Sequence, residues 1–201
     1  MSWIKTIDYQ DADLSLKKIY DRVKGPDNDI DNVLLIHSLR PHSLVGHMAL
    51  YKNVLHNSNN TLPKWYLESI GVYVSYLNNC TYCVQHHFAG FKRLLKDDKK
   101  AEQFMKAVKS DSMNAFFDSK YLSGINYAKK LTLEVQNMIK EDVENLKTKG
   151  FSEGEILEIN QVTSYFNYAN RSVVGLGVSL KGDTLGLSPN DSNDPDNWNH
   201  I

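Results

Sequence analysis

The chain has 201 residues, 41% of them hydrophobic, which is enough to bury one sizeable core and favours one domain over two. Its 23 lysines and arginines nearly cancel its 24 aspartates and glutamates, so no overall field draws it onto nucleic acid or a membrane, and a small or neutral partner is expected. The first ten residues lack the apolar core of a secretory signal, and the longest apolar stretch, around Ile70 to Leu77, is too short to span a bilayer, so a cytoplasmic protein is expected.

Helical periodicity runs through nearly the whole chain. Leu14, Ile19, Tyr20 and Val23 mark a first segment, and Val45, Met48, Ala49, Val54 and Leu55 mark another after Pro41. Thr61 followed by Leu62-Pro63 predicts a helix start, because a threonine hydroxyl caps open amides and proline is tolerated in the first turn. That helix is expected to run to about Leu77, where Asn78-Asn79 breaks it, and the next to carry Cys80 through about Leu95. Further helices are expected at about 99–109, 120–134, 139–149 and 152–176, the last opened by Ser152 and Glu155 in a capping-box pattern. Alternating strand patterns are hard to find, so the fold class is all-α, a single-domain helical bundle with short connections. Residues 1–180 form the expected helical domain. Residues 181–201, rich in glycine, proline, asparagine and aspartate, read as an extended or partly disordered arm. Trp198 and Ile201 are odd in a disordered tail, which makes docking on a partner subunit the alternative.

The chain holds two cysteines, Cys80 and Cys83, and a disulfide across two intervening residues would constrain the unfolded chain little. In a reducing compartment so close a pair is more often redox-active or metal-binding than structural. Helical neighbours lie three and four residues apart, so Cys80 meets Cys83 and Cys83 meets His87, while His86 is expected to point elsewhere. The thiolate is the reactive form, and a cysteine with a pKa of about 8.5 needs activation. A helix beginning at Asn79 or Cys80 supplies positive charge to the first sulfur, and His87 can take a proton from the second. Attack on a peroxide oxygen would then give a sulfenic acid, condensation with the neighbouring thiol a disulfide, and exchange with an external thiol reductant would close the cycle. The same spacing also opens zinc sites. Cys80, Cys83 and His87 would supply three ligands and Glu68 a fourth, although structural zinc usually takes a second pair from elsewhere. The spacing alone ranks redox ahead of metal, and metal ahead of inert packing.

Glu68, amid Trp65, Leu67, Ile70 and Val72, reads either as a solvated helix glutamate or as a buried general base with a raised pKa. His37, His42 and His47 read as surface or helix-end histidines. Arg171, with Asn170, suits an acidic substrate or a subunit boundary equally. Tyr73, Tyr76, Phe88 and Phe91 read as core first and pocket lining second. Lys96 to Lys100 reads as an exposed turn.

Together these residues resemble the active-site pattern of the carboxymuconolactone decarboxylase superfamily, in its alkylhydroperoxidase D (AhpD)-like, peroxidase-related branch. That pattern is a glutamate, a Cys-x-x-Cys beginning twelve positions on, and a histidine four after the second cysteine. Glu68, Cys80, Cys83 and His87 meet every spacing. Phe166 to Arg171, with Gly175-Leu176-Gly177, is also similar to the C-terminal helix of peroxidase-related members, and the resemblance covers roughly residues 1–180. It implies an AhpD-like helical fold and an antioxidant peroxidase with Glu68, Cys80, Cys83 and His87 as catalytic residues. In it Cys83 attacks the peroxide and Cys80 resolves, the reverse of what the helix dipole alone favours. It further implies a small hydroperoxide substrate, an external thiol reductant, a homo-oligomer, and neither metal nor bound cofactor, because the sulfurs carry both electrons. Tyr82 departs from AhpD proper, which has a histidine between the cysteines; a tyrosine does not shuttle protons near neutral pH, which bears on the relay and its reductant. The rival readings are a carboxymuconolactone-type decarboxylase, whose chemistry does not call for a dithiol, and a non-enzymatic zinc-binding or scaffold protein.

Overall fold

A computed structural model describes residues 2–200. Among them the helices are α1 (Leu14–Val23), α2 (Asn32–Leu35), α3 (Pro41–Leu55), α4 (Lys64–Leu77), α5 (Thr81–Leu95), α6 (Asp98–Lys109), α7 (Ser119–Leu133), α8 (Lys140–Thr148) and α9 (Glu153–Gly175). No β-strand occurs among the described residues, which contain only two isolated bridges, so the chain is all-α as its periodicity predicts.

Helix α4 is the centre of the bundle, packed against α3, α5, α7 and α9. Every residue from Tyr66 to Ser75 is buried, the pattern of a helix that is covered on all sides. Close approach is paid in glycine: a methyl group on Gly71 would overlap the Phe166 ring of α9, and one on Gly124 would overlap the Tyr66 hydroxyl. Such contacts let α4 present Glu68 to α5 inside the core.

The ends of α4 are set by different devices. Thr61 does not cap it, contrary to the expectation from its hydroxyl; Pro63 holds the N-cap position, and Glu158 of α9 reaches across instead. Its carboxylate accepts from the Thr61 amide at 2.8 Å, the Thr61 hydroxyl at 3.0 Å and the Leu62 amide at 2.9 Å. At the other end Asn79 adopts φ 56°, the left-handed turn expected of asparagine, and the Cys80 amide donates to Ser75 O at 2.9 Å. Asn78 Nδ2 donates to Asn170 Oδ1 of α9 at 3.0 Å, fixing this turn against a third helix. The capping box at the start of α9 forms as predicted, with Ser152 and Glu155 bonded reciprocally.

Beyond α9 the chain folds back over its own helices. Trp198 is 2% exposed and packs in the main core, with the Arg22 guanidinium 3.6 Å from the centre of its ring. Docking on a partner subunit is therefore not what buries this side chain; Ile201 lies outside the described residues. Lys52 is fully buried on α3 and donates to His56 O at 2.9 Å, Ser192 Oγ at 3.1 Å and Asn190 O, so its ammonium is satisfied largely by the arm. Gly186, at φ 84°, passes against Ala89 and Gly90 of α5, where a Cβ would stand 2.9 Å from the Ala89 methyl.

Candidate active site

The α4–α5 hairpin brings the four motif residues to one region. Glu68 is 3% exposed, and its Oε2 lies 2.9 Å from His87 Nδ1. Burial pushes the carboxyl up, but the charge and hydrogen bond of His87, with His56 and Lys64 behind, outweigh it. Glu68 is thus held below its ordinary value, a correction to the raised pKa expected for a buried base. An ionised carboxylate locked to an imidazole fixes the orientation of that ring. Phe166, admitted by Gly71, meets the His87 ring edge-on at 4.5 Å between centres.

Cys80 immediately precedes α5 and Cys83 lies in its first turn. Both thiols are buried and unbonded, with the sulfurs 2.8 Å apart. Cys80 is lowered by the Cys83 thiol that bonds it, against burial, and further by the Cys83 amide and the Asn170 side chain. Cys83 is raised well above the usual thiol range by burial and by Cys80. One proton shared by two sulfurs explains the opposed directions, with negative charge resting first on Cys80. The two sulfurs face different spaces. Cys83 lines a cavity of about 40 Å³ together with Glu68, His87, Tyr51, Tyr165 and Phe166. Cys80 lines a shallow groove of about 480 Å³ on the outside, beside Tyr76, Phe88 and Lys109.

No family model and no curated protein matches this chain. Solved structures do. The alkylhydroperoxidase AhpD core of an uncharacterized peroxidase-related protein from Ralstonia eutropha JMP134 superposes with TM-score 0.76 at 21% identity, over 89% of this chain and 91% of that one. An uncharacterized peroxidase-related protein from Silicibacter sp. TM1040 gives TM-score 0.64 at 27% identity, over 73% of this chain and 74% of that one. The chain has the AhpD-like fold. The same fold carries another activity in the debrominase Bmp8, which superposes with TM-score 0.70 at 17% identity over 88% of this chain and 91% of that one. A cysteine-to-alanine variant of that debrominase is known in complex with 2,3,4-tribromopyrrole.

Within this AhpD-like fold, several side chains sit where their sequence did not suggest. His86 lines the cavity together with Cys83 and His87 instead of pointing away from them, because the arm closes the cavity on the flank of α5 that α4 leaves open. His47 is buried and also lines the cavity, its ring tilted against those of His37 and Tyr165, and burial drives it down to about 3, so it is neutral. His37 is half-buried and His42 is exposed. Arg171 is exposed and turns back on Asn167, away from the cavity. Tyr73 and Phe91 are core residues, whereas Tyr76 and Phe88 border the groove of Cys80. Lys96 to Lys100 is exposed as expected, but only Lys96 and Asp97 form the turn: Asp97 caps α6, and Asp98 to Lys100 are its first residues. Tyr82 does not stand in for a relay histidine. Its hydroxyl donates to Asp183 of the arm and accepts from the Val33 amide at 3.1 Å. Nor do Glu68, Cys80, Cys83 and His87 gather as zinc ligands: among the described residues the one His, Cys, Asp or Glu group with ligand spacing is Asp31, His86 and Asp183.

Proposed function

We propose that the protein is a thiol-dependent peroxidase that reduces hydroperoxides through a Cys80–Cys83 dithiol/disulfide cycle. The observation that carries this reading is that Cys83 borders the small cavity of Glu68 and His87 while its sulfur stands 2.8 Å from that of Cys80. Cys80, the more readily ionised thiol, takes the Cys83 proton as the Cys83 sulfur attacks the peroxide. An S–O bond forms, the O–O bond breaks, and the departing oxygen takes a proton from His87, which Glu68 holds in place. Cys80 then attacks the sulfenic sulfur; the S–S bond forms, and hydroxide leaves as water with the proton Cys80 had accepted. The products are an alcohol or water, one further water and a disulfide. An external thiol reductant exchanges with that disulfide from the groove side, where Cys80 is reached first.

A water needs about 10–15 Å³ of such space, so a cavity of about 40 Å³ suits hydrogen peroxide better than a bulky hydroperoxide while the arm is down. Reductive debromination is the second reading, favoured by the debrominase among the structural neighbours. The dithiol would supply the same two electrons, but a brominated pyrrole would require the arm to lift.

The test mixes pre-reduced protein with one equivalent of hydrogen peroxide or cumene hydroperoxide and counts remaining thiols, with Cys80→Ser and Cys83→Ser alongside. The expected result is rapid loss of both thiols, a sulfenic acid trapped in Cys80→Ser alone, and a rate lowered at least about a thousandfold in Cys83→Ser. Thiols that persist for hours with both peroxides overturn the reading, and bromide release from a bromopyrrole would then support the second.

A further inference from the structure

We infer that Asp31, His86 and Asp183 form a site for a divalent first-row cation, of the zinc or manganese class, which ties the C-terminal arm to the helical body. The three come from separate places: Asp31 precedes α2, His86 lies on α5 and Asp183 belongs to the arm. One ligand atom of each lies within 4.8 Å of the others. Zinc bonds to nitrogen and oxygen at about 2.0–2.2 Å, so a shift of about an ångström per ligand closes the set on an ion.

Two of these side chains carry a buried polar atom with no partner. Asp31 Oδ1 and His86 Nε2 make no hydrogen bond, on side chains each 8% exposed, although buried polar atoms are nearly always satisfied. His86 Nε2 stands 3.5 Å from Asp183 Oδ2, beyond good hydrogen-bond distance. Asp31 holds the N-cap position of α2, where an aspartate normally turns its carboxylate onto the open amides, yet it makes no such bond. Asp183 does so in its place, accepting from the Asn32 amide at 3.1 Å, and the same carboxylate is gripped by the Asn32 side chain and the Tyr82 hydroxyl. Metal-binding carboxylates are held by outer donors in this way.

The charges point the same way. Asp31 and Asp183 are buried together with Asp29 nearby, and the groups facing them are His86, Tyr82 and His200, none of them a permanent cation. Two buried carboxylates with no permanent cation facing them call for a counter-charge, which a divalent cation supplies. A proton on either orphaned atom leaves the other unpaired, because the two make no hydrogen bond to each other; a cation between them serves all three ligands. Two carboxylate oxygens and one imidazole nitrogen, without a thiolate, suit zinc or manganese. Because Asp31 and His86 also line the cavity of Cys83, the ion would seal the arm over that space.

The test strips the purified protein with a chelator and titrates it with Zn²⁺ and with Mn²⁺ by calorimetry. Asp31→Asn, His86→Gln and a Cys80→Ser/Cys83→Ser double variant are run alongside. One ion per chain is expected in the wild type and in the double serine variant, weakened at least about tenfold in Asp31→Asn and in His86→Gln. The ion should also raise Tm and slow hydrogen exchange in residues 181–200, and both effects should vanish in the two ligand variants. Without metal, Asp31→Asn should melt no lower than the wild type, since an amide has no charge to bury, which separates lost ligation from failed folding. Absence of stoichiometric binding in the wild type overturns the site. So does binding that survives in Asp31→Asn and disappears in the double serine variant, which would place the ion on the thiols.

Discussion

The α4–α5 hairpin and the C-terminal arm line the same cavity by opposite means. In the hairpin, sequence neighbours become spatial neighbours through helix geometry. Cys80 and Cys83 touch because they are three residues apart, and Glu68 meets His87 because a three-residue turn folds α5 directly onto α4. The arm has no such period. It is held by single contacts to distant elements: Lys52 to Asn190 and Ser192, Tyr82 and Asn32 to Asp183, and Trp198 into the core under Arg22. The motif residues thus sit on locally specified structure, while the arm that completes the cavity wall is held by scattered single contacts.

Trp198→Ala breaks the comparison most strongly. Truncating a buried tryptophan costs about 3–5 kcal/mol, so the denaturant midpoint should fall far below that of the wild type. If the arm serves mainly as a cover, the variant should keep its reaction with hydrogen peroxide and gain on cumene hydroperoxide, as judged by the ratio of their thiol-oxidation rates. An unchanged ratio would mean that the arm does not limit access.

Glu68→Gln sharpens the other side. It keeps the volume of the carboxylate and removes the charge that faces His87, so peroxide reduction should drop about a hundredfold with little change in fold. The sign of its pH dependence follows from the lowered pKa. The stability contributed by the ionised side chain is complete above its ordinary value of 4.5 and is lost as pH falls through the lower folded value. Denaturant unfolding of wild type and variant across pH should therefore show a constant gap above pH 4.5 that closes as the pH falls below it.

The difference between the two regions also decides how much could be read from the residues. The helices and the alignment of Cys80, Cys83 and His87 were legible because period, turn residues and spacing all act within a few residues, whereas Glu68, twelve residues before Cys80, joined them only through the family resemblance. The flank of His86 was not, since helix geometry assigns it a different face from Cys83 without knowing that the arm covers that face as well. His47 looked like a surface histidine because its burial comes from Tyr51 on its own helix, Tyr165 and Tyr168 on α9, and His37 before α3, which no local pattern announces. Asp31 and Asp183 lie in irregular segments far apart in sequence, so only folding relates them. The one available signal was indirect: Trp198 is costly to leave in water, which spoke against a disordered tail but suggested docking on a partner subunit and not on the chain's own core.

His47 gives a smaller test that links the two regions. The groups around it are His37, Tyr51, Tyr165, Tyr168 and His200 of the arm, none of them a carboxylate, and burial holds it down at about 3. The unfolded chain protonates this imidazole near 6.5, so stability is complete above that pH and is lost as pH falls toward the folded value. The slope is about 1.4 kcal/mol per pH unit for one such group. Denaturant unfolding at pH 7 and pH 5 should show the wild type losing more stability than His47→Gln. Equal losses would mean that His47 is protonated in the folded state.

The smallest effect concerns the start of α4, where the hairpin borrows a long-range contact of the kind that holds the arm. Glu158 is half-buried on α9, and its carboxylate is the acceptor for the Thr61 and Leu62 amides that Thr61 itself leaves uncapped. Glu158→Gln retains one carbonyl oxygen of two and should cost about 1 kcal/mol of stability, within the usual worth of a helix cap. Thiol oxidation by peroxide should be unaffected, because α4 stays anchored through Gly71 and Tyr66 beyond the first turn. A fall in that rate along with stability would mean that the position of Glu68 depends on the end of its helix as well as on the packing around it, and that even the locally specified half of the site leans on a distant residue.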